Sequence, residues 1–414
     1  MKIALVSYEL AGRDAGGIGT YVRNAARMLS SAGHRVEVFT ARTDESPDVG
    51  AAVVHEVTTA SRADFARDVL PPFADRHAVI GFDVVEGPDY MADAAAIASA
   101  FPDLPIVVRL HTASRIVAEL NRLEDFGVAA KARYVLGGLR RGRLSPRFWR
   151  YDRVADRERQ HALRADEIAA PTLAVARRTA SLWQMSVDDM SVFPLPFDAP
   201  DALTRIPAAT TTGRVSFIGK LEMRKGAMTF ARAIPAILAR HPDARFRFIG
   251  PASPHPATGR DMRDELRAIA GAAREALELV GHVPQSELAD HLADSDVCVF
   301  PSRWESFGYV CLEAMAAARG VVASRAGGMA EMIVDGESGR LVPPESANAL
   351  AAAVIDLLDR PAARIAMGES ARARVLERYS CAAILPQHEA SYERAIMRRR
   401  VRAAPPAGPE RVAR

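Results

Sequence analysis

Short apolar runs alternate with longer amphipathic stretches along this chain, and that alternation restricts its fold more than any other feature. IALVSY (3–8) reads as a buried strand. Residues 18–32 then put Ile18, Val22, Ala25, Ala26 and Leu29 on one helical face. VEVFT (36–40), DVVEG (83–87), PIVVRLH (105–111) and DEIAAP (166–171) are further strands. Strand, helix, strand in this order predicts a parallel sheet covered on both sides.

The rhythm stops at FPLPFDAPDALTRIPAATTTG (193–213), which is rich in Pro, Ala and Thr and has no helical period. It resumes with RVSFIG (214–219), a helix near 226–240, RFRFIG (245–250), LELVG (277–281), VCVF (297–300), GVVAS (320–324) and RLVPP (340–344). A chain of 414 residues is too long for one ordinary core. Two α/β domains in series are predicted: residues 1–197 and 214–380, joined by a linker over 198–213. A helix over 381–398 is long enough to return to the first domain, and the basic, Pro/Ala-rich tail 399–414 is expected to be disordered.

Composition removes several function classes. A net charge of +3 is too small for a chain whose main partner is nucleic acid. The three cysteines, Cys298, Cys311 and Cys381, show neither CxxC spacing nor a neighbouring His cluster, so neither a zinc site nor a disulfide framework is expected. A reducing cytoplasm fits them best. The first apolar run is short and broken by Glu9, as in a first strand rather than a secretory signal. No run approaches the roughly 18 apolar residues of a membrane span.

Ligands of open α/β sheets sit beyond the carboxyl ends of the strands, so the loops there carry the functional information. After the first strand, Gly16, Gly17 and Gly19 precede a helix and allow a phosphate or sugar to approach backbone N–H groups. A plain flexible turn explains them equally well. GKLEMRKG (219–226) follows the first strand of the second half and offers Lys220 and Lys225, with Arg224 between, to a diphosphate; a solvated basic loop is the alternative. PSRWESFGYVCLEAMA (301–316) places Glu305 before a helix starting near Phe307 and Glu313 on its second turn. Carboxylates accept hydrogen bonds from vicinal hydroxyls, and Ser306, Phe307 and Gly308 offer N–H groups at a helix start. GGMAEMIVDGESG (327–339) adds a glycine pair and Glu331.

GKLEMRKG, then GHVPQSELADHLADSDVCVFPSRWESFGYVCLEAMA, then GGMAEMIVDGESGRLVPP resembles the retaining glycosyltransferases of the GT-B fold, family 4 type. Glu305 to Glu313 matches their E-x7-E element. The likeness covers nearly all of the second domain and is looser in the first. It implies two Rossmann-like, doubly wound domains facing across a cleft. It implies that Glu313 holds the donor ribose and that Glu305 contacts the donor sugar. Ser306, Phe307 and Gly308 present N–H groups to sugar and phosphate, and Lys220 and Lys225 clamp the diphosphate. Gly16 and Gly17 close from the first domain, His111 lies near the transferred sugar, and the Val283 main chain lies near the base. Lys220 stands where relatives usually have arginine, which keeps the charge and loses the planar fork. PLPFD (194–198) stands where many relatives read like PNGVD.

The resemblance further implies transfer with retention, without metal or other cofactor, from a nucleotide-diphosphate sugar, UDP favoured and GDP next. The acceptor is expected to be a glycan, a lipid-linked molecule or a small molecule. The basic, aromatic stretch 131–159 has two readings: peripheral contact with an anionic membrane at its inner face, or an ordinary solvated hairpin. A GT-B UDP-sugar epimerase and a non-catalytic sugar-nucleotide sensor share the two-domain plan, and fold alone does not separate them.

Overall fold

The structure, a computed structural model, describes residues 1–10, 16–42, 47–121, 132, 136, 151–256 and 258–403. Its first sheet has seven strands: β1 (Lys2–Val6), β2 (Arg35–Ala41), β3 (Val53–Val57), β4 (Val84–Pro88), β5 (Ile106–Arg109), β6 (Glu167–Ala170) and β7 (Met190–Val192), in the order β3-β2-β1-β4-β5-β6-β7. The second has six: β8 (Arg214–Ile218), β9 (Arg245–Ile249), β10 (Leu277–Gly281), β11 (Val297–Phe300), β12 (Gly320–Ser324) and β13 (Arg340–Val342), in the order β10-β9-β8-β11-β12-β13. Strands pair in parallel within each sheet. Each order reverses direction once, between β1 and β4 and between β8 and β11, and those switch points open a crevice at the carboxyl ends of the strands.

Sequence periodicity does not announce β3 and β7. β3 is an edge strand with Val53 exposed, and β7 is three residues long, so neither produces an apolar run. The linker also carries order that its composition hides. It contains a short helix, Asp201–Thr204. Its carbonyls are gripped from the second domain: Ile206 by Arg372 at 2.5 Å, Pro207 by Arg319 and Thr210 by Arg364.

One apolar cluster runs without a break from the first sheet (Leu5, Val38) through the hinge (Phe193, Phe197) to the second domain (Phe307, Tyr309, Leu312) and the C-terminal helix (Ile384, Tyr392). Trp304 crosses the other way and joins the first domain's core, under Arg178 at 4.9 Å. The last helix spans Cys381–Ala403, past the expected end at 398. The tail boundary moves because Asp166 and Glu167, fully buried at the start of β6, draw the arginines in: Arg394 and Arg398 to Glu167, Arg399 and Arg402 to Asp166. Residues 404–414 and most of the 131–159 stretch lie outside the described residues. Among those described, no helix is long and apolar enough to cross a membrane.

Losing both partners leaves the Glu167 carboxylate buried and uncompensated. The double variant Arg394→Ala/Arg398→Ala is expected to lose about 3 kcal/mol of stability, measured by urea titration with circular dichroism. An unchanged midpoint contradicts the clamp.

Candidate active site

The loop after β11 is shaped by backbone that only glycine fits. Gly308 has φ +94° and caps the helix Tyr309–Ala316, which therefore starts two residues after the expected Phe307. Gly327 has φ +90°, and a Cβ there would overlap the Glu305 carbonyl. Glu305 bridges to Gly327, and its carbonyl accepts from Gly328 N–H at 2.7 Å. The E-S-F-G turn is thus pinned to the G-G turn after β12.

Glu305 has its carboxylate in an ion pair with Lys225, and Arg224 Nη1 lies 3.8 Å away. Burial pushes this carboxyl up, but Lys225 and Arg224 outweigh burial and hold it below the usual range. The Ser306 N–H also donates to it. Arg224 is further paired with Glu222 at 2.8 Å. The structure thus brings Lys225 and Arg224 to Glu305, whereas Lys220 is exposed and joins no ion pair among the described residues. Arg224 is the residue that spacing alone undervalued.

Glu313 occupies a separate pocket of polarity. Gln285 Nε2 donates to its Oε1 at 2.7 Å, and its Oε2 is buried without a partner among the described residues. Burial pushes the carboxyl up to about 7, against the opposing effects of Gln285 and the nearby Arg23. Gln285 went unmarked in the sequence, although it sits in the same GHVPQSE segment as Val283. Val283 itself is half-buried against the core. The Phe307 ring packs into the hinge against Tyr309 and Tyr379, so only its main chain is available to a ligand.

The first domain contributes from β1, β4 and β5. Gly16 and Gly17 are exposed at the start of the helix Gly17–Ser31, and the Gly16 N–H donates to Glu9 Oε2 at 3.0 Å. His111 follows β5. Its N–H donates to Asp89 at 2.8 Å, its ring meets Tyr21 edge-on at 5.2 Å, and its Nε2 is buried without a partner among the described residues. Burial and the Arg109 charge push the imidazole down to about 3, so it is neutral at ordinary pH. Asp89 is pushed up to about 8 by burial and by Glu158, so it is a protonated acid there. Beside it Arg62 lies over the rings of Tyr8 at 4.9 Å and Tyr90 at 4.8 Å and pairs with Glu9 at 2.6 Å. Its Nε and Nη2 are buried without partners among the described residues.

The two faces are joined. Arg303 Nη1 donates to the Leu120 carbonyl at 3.0 Å, and Thr172 Oγ1 donates to the Ser306 carbonyl at 3.2 Å. Glu331 does not enter the crevice. It accepts from the N–H groups of Leu173 at 2.9 Å and Ala174 at 2.8 Å, capping the helix Leu173–Trp183 of the opposite domain.

Comparisons with known proteins identify the family. Residues 15–199 match the family described as glycosyltransferase family 4, and residues 212–360 match glycosyl transferases group 1. A D-inositol 3-phosphate glycosyltransferase from Kineococcus radiotolerans is 30% identical over 87% of this chain and 86% of its own. The chain is a family 4 glycosyltransferase of the GT-B fold. A glycogen synthase from Mycobacterium tuberculosis is 28% identical to this glycosyltransferase over 91% of the chain and 90% of its own. Sucrose-phosphate synthase from Thermosynechococcus elongatus superposes with a TM-score of 0.70 at 24% identity, covering 96% and 99% of the two chains. Anabaena HepE, solved with UDP-glucose, superposes at 0.65 and 17% identity, covering 95% and 99%.

The Glu331 cap is a charge-assisted contact at a helix start, worth about 1–2 kcal/mol between the domains. Glu331→Ala is expected to loosen domain docking, seen as a larger radius of gyration in X-ray scattering. An unaltered scattering profile removes this role.

Proposed function

We propose that this glycosyltransferase moves a hexose with retention from a nucleotide-diphosphate sugar, UDP favoured over GDP, to an acceptor hydroxyl, with no metal. The observation that carries the proposal is the Lys225–Glu305–Arg224 cluster at the β8/β11 switch point. It combines fixed cations for a diphosphate with a carboxylate for the sugar that becomes positive as it departs. Lys220, exposed nearby, is assigned to the same diphosphate. UDP is favoured because HepE, a structural neighbour, was solved with UDP and with UDP-glucose.

Glu313, with an orphaned buried oxygen, suits the two ribose hydroxyls. The Val283 main chain serves the base. The N–H groups of Gly308 and Phe307, together with the helix start at Gly17, serve the sugar and phosphates; Gly16 closes beside them with its N–H held by Glu9.

His111 supplies no strong base for this reaction. An imidazole titrating near 3 cannot take the acceptor's proton at neutral pH, although it can hydrogen-bond a sugar hydroxyl. The acceptor oxygen attacks the anomeric carbon on the face that the diphosphate leaves. The bond to the phosphate oxygen breaks, and that oxygen receives the proton. The protein contributes position and fixed charge. On the acceptor side, the unpartnered nitrogens of Arg62 favour an acceptor bearing a negative group, in keeping with a relative named for inositol 3-phosphate.

Glu305→Ala is expected to lower kcat by about a hundredfold or more; undiminished transfer refutes the assignment. Arg62→Ala should raise KM for an anionic acceptor about tenfold and leave KM for the donor in place. Thermal-shift ranking of UDP, GDP and ADP fixes the base, and the product's anomeric NMR signal fixes the stereochemistry. Hydroxyls donating to Glu313 favour its carboxylate, so UDP affinity should rise as pH passes upward through about 7, with proton release on binding. Calorimetry in buffers of different ionisation enthalpy measures that release, and Glu313→Gln should abolish it.

A further inference from the structure

Beneath His111 lies a polar group that the proposed transfer chemistry does not use. Tyr21 of the helix Gly17–Ser31, Glu86 of β4, Arg109 of β5 and His388 of the C-terminal helix meet there, none more than 2% exposed. The Tyr21 hydroxyl donates to Glu86 Oε1 in a short hydrogen bond, and its oxygen lies 2.9 Å from His388 Nε2. Arg109 Nη2 donates to the same nitrogen at 3.1 Å and lies 3.7 Å from Glu86 Oε2. The guanidinium also lies over the rings of Phe193 at 4.1 Å and Tyr21 at 5.4 Å.

An arginine can only donate, so His388 Nε2 is the bare nitrogen that accepts from Arg109, and the imidazole is neutral with its proton on Nδ1, which has no partner among the described residues. Burial and the Arg109 charge favour the same form. The Tyr21 proton goes to Glu86, so His388 reaches Tyr21 through Arg109 and Glu86. Burial pushes Glu86 up, but Arg109 first, then His388 and Tyr21, outweigh it and hold the carboxyl down to about 2. A buried ion pair of this kind is seldom the most stable filling for a core. What it supplies is a fixed orientation for Tyr21. The Tyr21 ring is the surface against which His111 packs, and Tyr21 sits one turn along the helix that begins at Gly17.

We propose that His388 is a positioning residue for sugar transfer: from the C-terminal helix it accepts from Arg109, Arg109 and Glu86 together hold the Tyr21 hydroxyl, and Tyr21 sets the His111 imidazole. His388 touches no substrate in this role. The helix that carries it leaves the second domain after Tyr379, so the first domain's half of the site is incomplete without the end of the chain. The proposal rests on the transfer activity proposed above.

Three variants test it. His388→Ala removes the acceptor nitrogen. His388→Gln returns an acceptor oxygen to nearly the same place. Arg394→Ala loosens the same helix at Glu167, away from the buried group. His388→Ala is expected to lower kcat ten- to a hundredfold, with UDP affinity by calorimetry unchanged within about twofold, because the Glu313 and Lys225 contacts lie in the other domain. His388→Gln should recover most of that loss. Arg394→Ala should lower the melting temperature and keep kcat per folded molecule. Wild-type kcat in His388→Ala overturns the proposal, as does a loss matched by an equally destabilised Arg394→Ala. Imidazole 15N NMR reads positioning without turnover: the His111 resonance should move in His388→Ala and stay in Arg394→Ala. Unmoved resonances defeat the inference, whereas a wild-type protein that binds UDP and transfers no sugar defeats only the proposed activity.

Discussion

Glu305 is a carboxylate taken out of water, and its charge is tolerable there because Lys225 and Arg224 meet it. Much of the second domain follows from keeping those three together. Lys225 and Arg224 stand on the loop after β8, and Glu305 on the loop after β11. The two strands are neighbours only because the strand order reverses between them. The E-S-F-G turn must then lie against the G-G turn closely enough that Gly327 leaves no room for a side chain. The same turn extends Trp304 into the other domain's core and offers the Ser306 carbonyl to Thr172. A local electrostatic requirement thereby sets where the two domains touch.

The first domain is held by the opposite arrangement, acids inside and cations arriving from far along the chain. Asp166 and Glu167 lie buried at the start of β6, and four arginines from the last helix neutralise them. Glu86 repeats the pattern deeper in the sheet with Arg109 and His388. Removing one partner of such a pair costs far more than the pair contributes over an apolar core. The chain's end is therefore committed to its beginning, and the hinge core between Phe193, Phe307 and Tyr379 is loaded from both sides.

Local order was legible wherever it is written in consecutive residues. The buried strands appear as apolar runs, and the E-x7-E element marks the second domain because loop, helix start and spacing fall within one segment. What escaped notice depends on distance in sequence. The linker carbonyls of Ile206, Pro207 and Thr210 are gripped by arginines more than a hundred residues away. Tyr21 and His388 are separated by 367 positions and show no shared period. Edge strands β3 and β7 escaped because half-exposed or very short strands lack the continuous burial that produces a run. Lys220 and Arg224 illustrate a finer limit: both are cations on one loop, and only the fold shows which one turns toward Glu305.

The titration behaviour of the crevice divides labour between its halves. In the second domain Glu305 is held anionic and Glu313 sits near its transition, so small changes in what surrounds them alter charge. In the first domain His111 is a neutral ring across ordinary pH, and burial pushes Asp89 up to about 8, so it is mostly protonated at neutral pH. In the proposed transfer, His111 therefore takes no proton from the acceptor at neutral pH. In that proposal the neutral His111 ring and the Arg62 cation hold the acceptor, while the opposite face supplies charge to the leaving diphosphate. The rigidity of the first domain's half then depends on what lies beneath it, and the buried group of Tyr21, Glu86, Arg109 and His388 connects the His111 ring to the last helix of the chain.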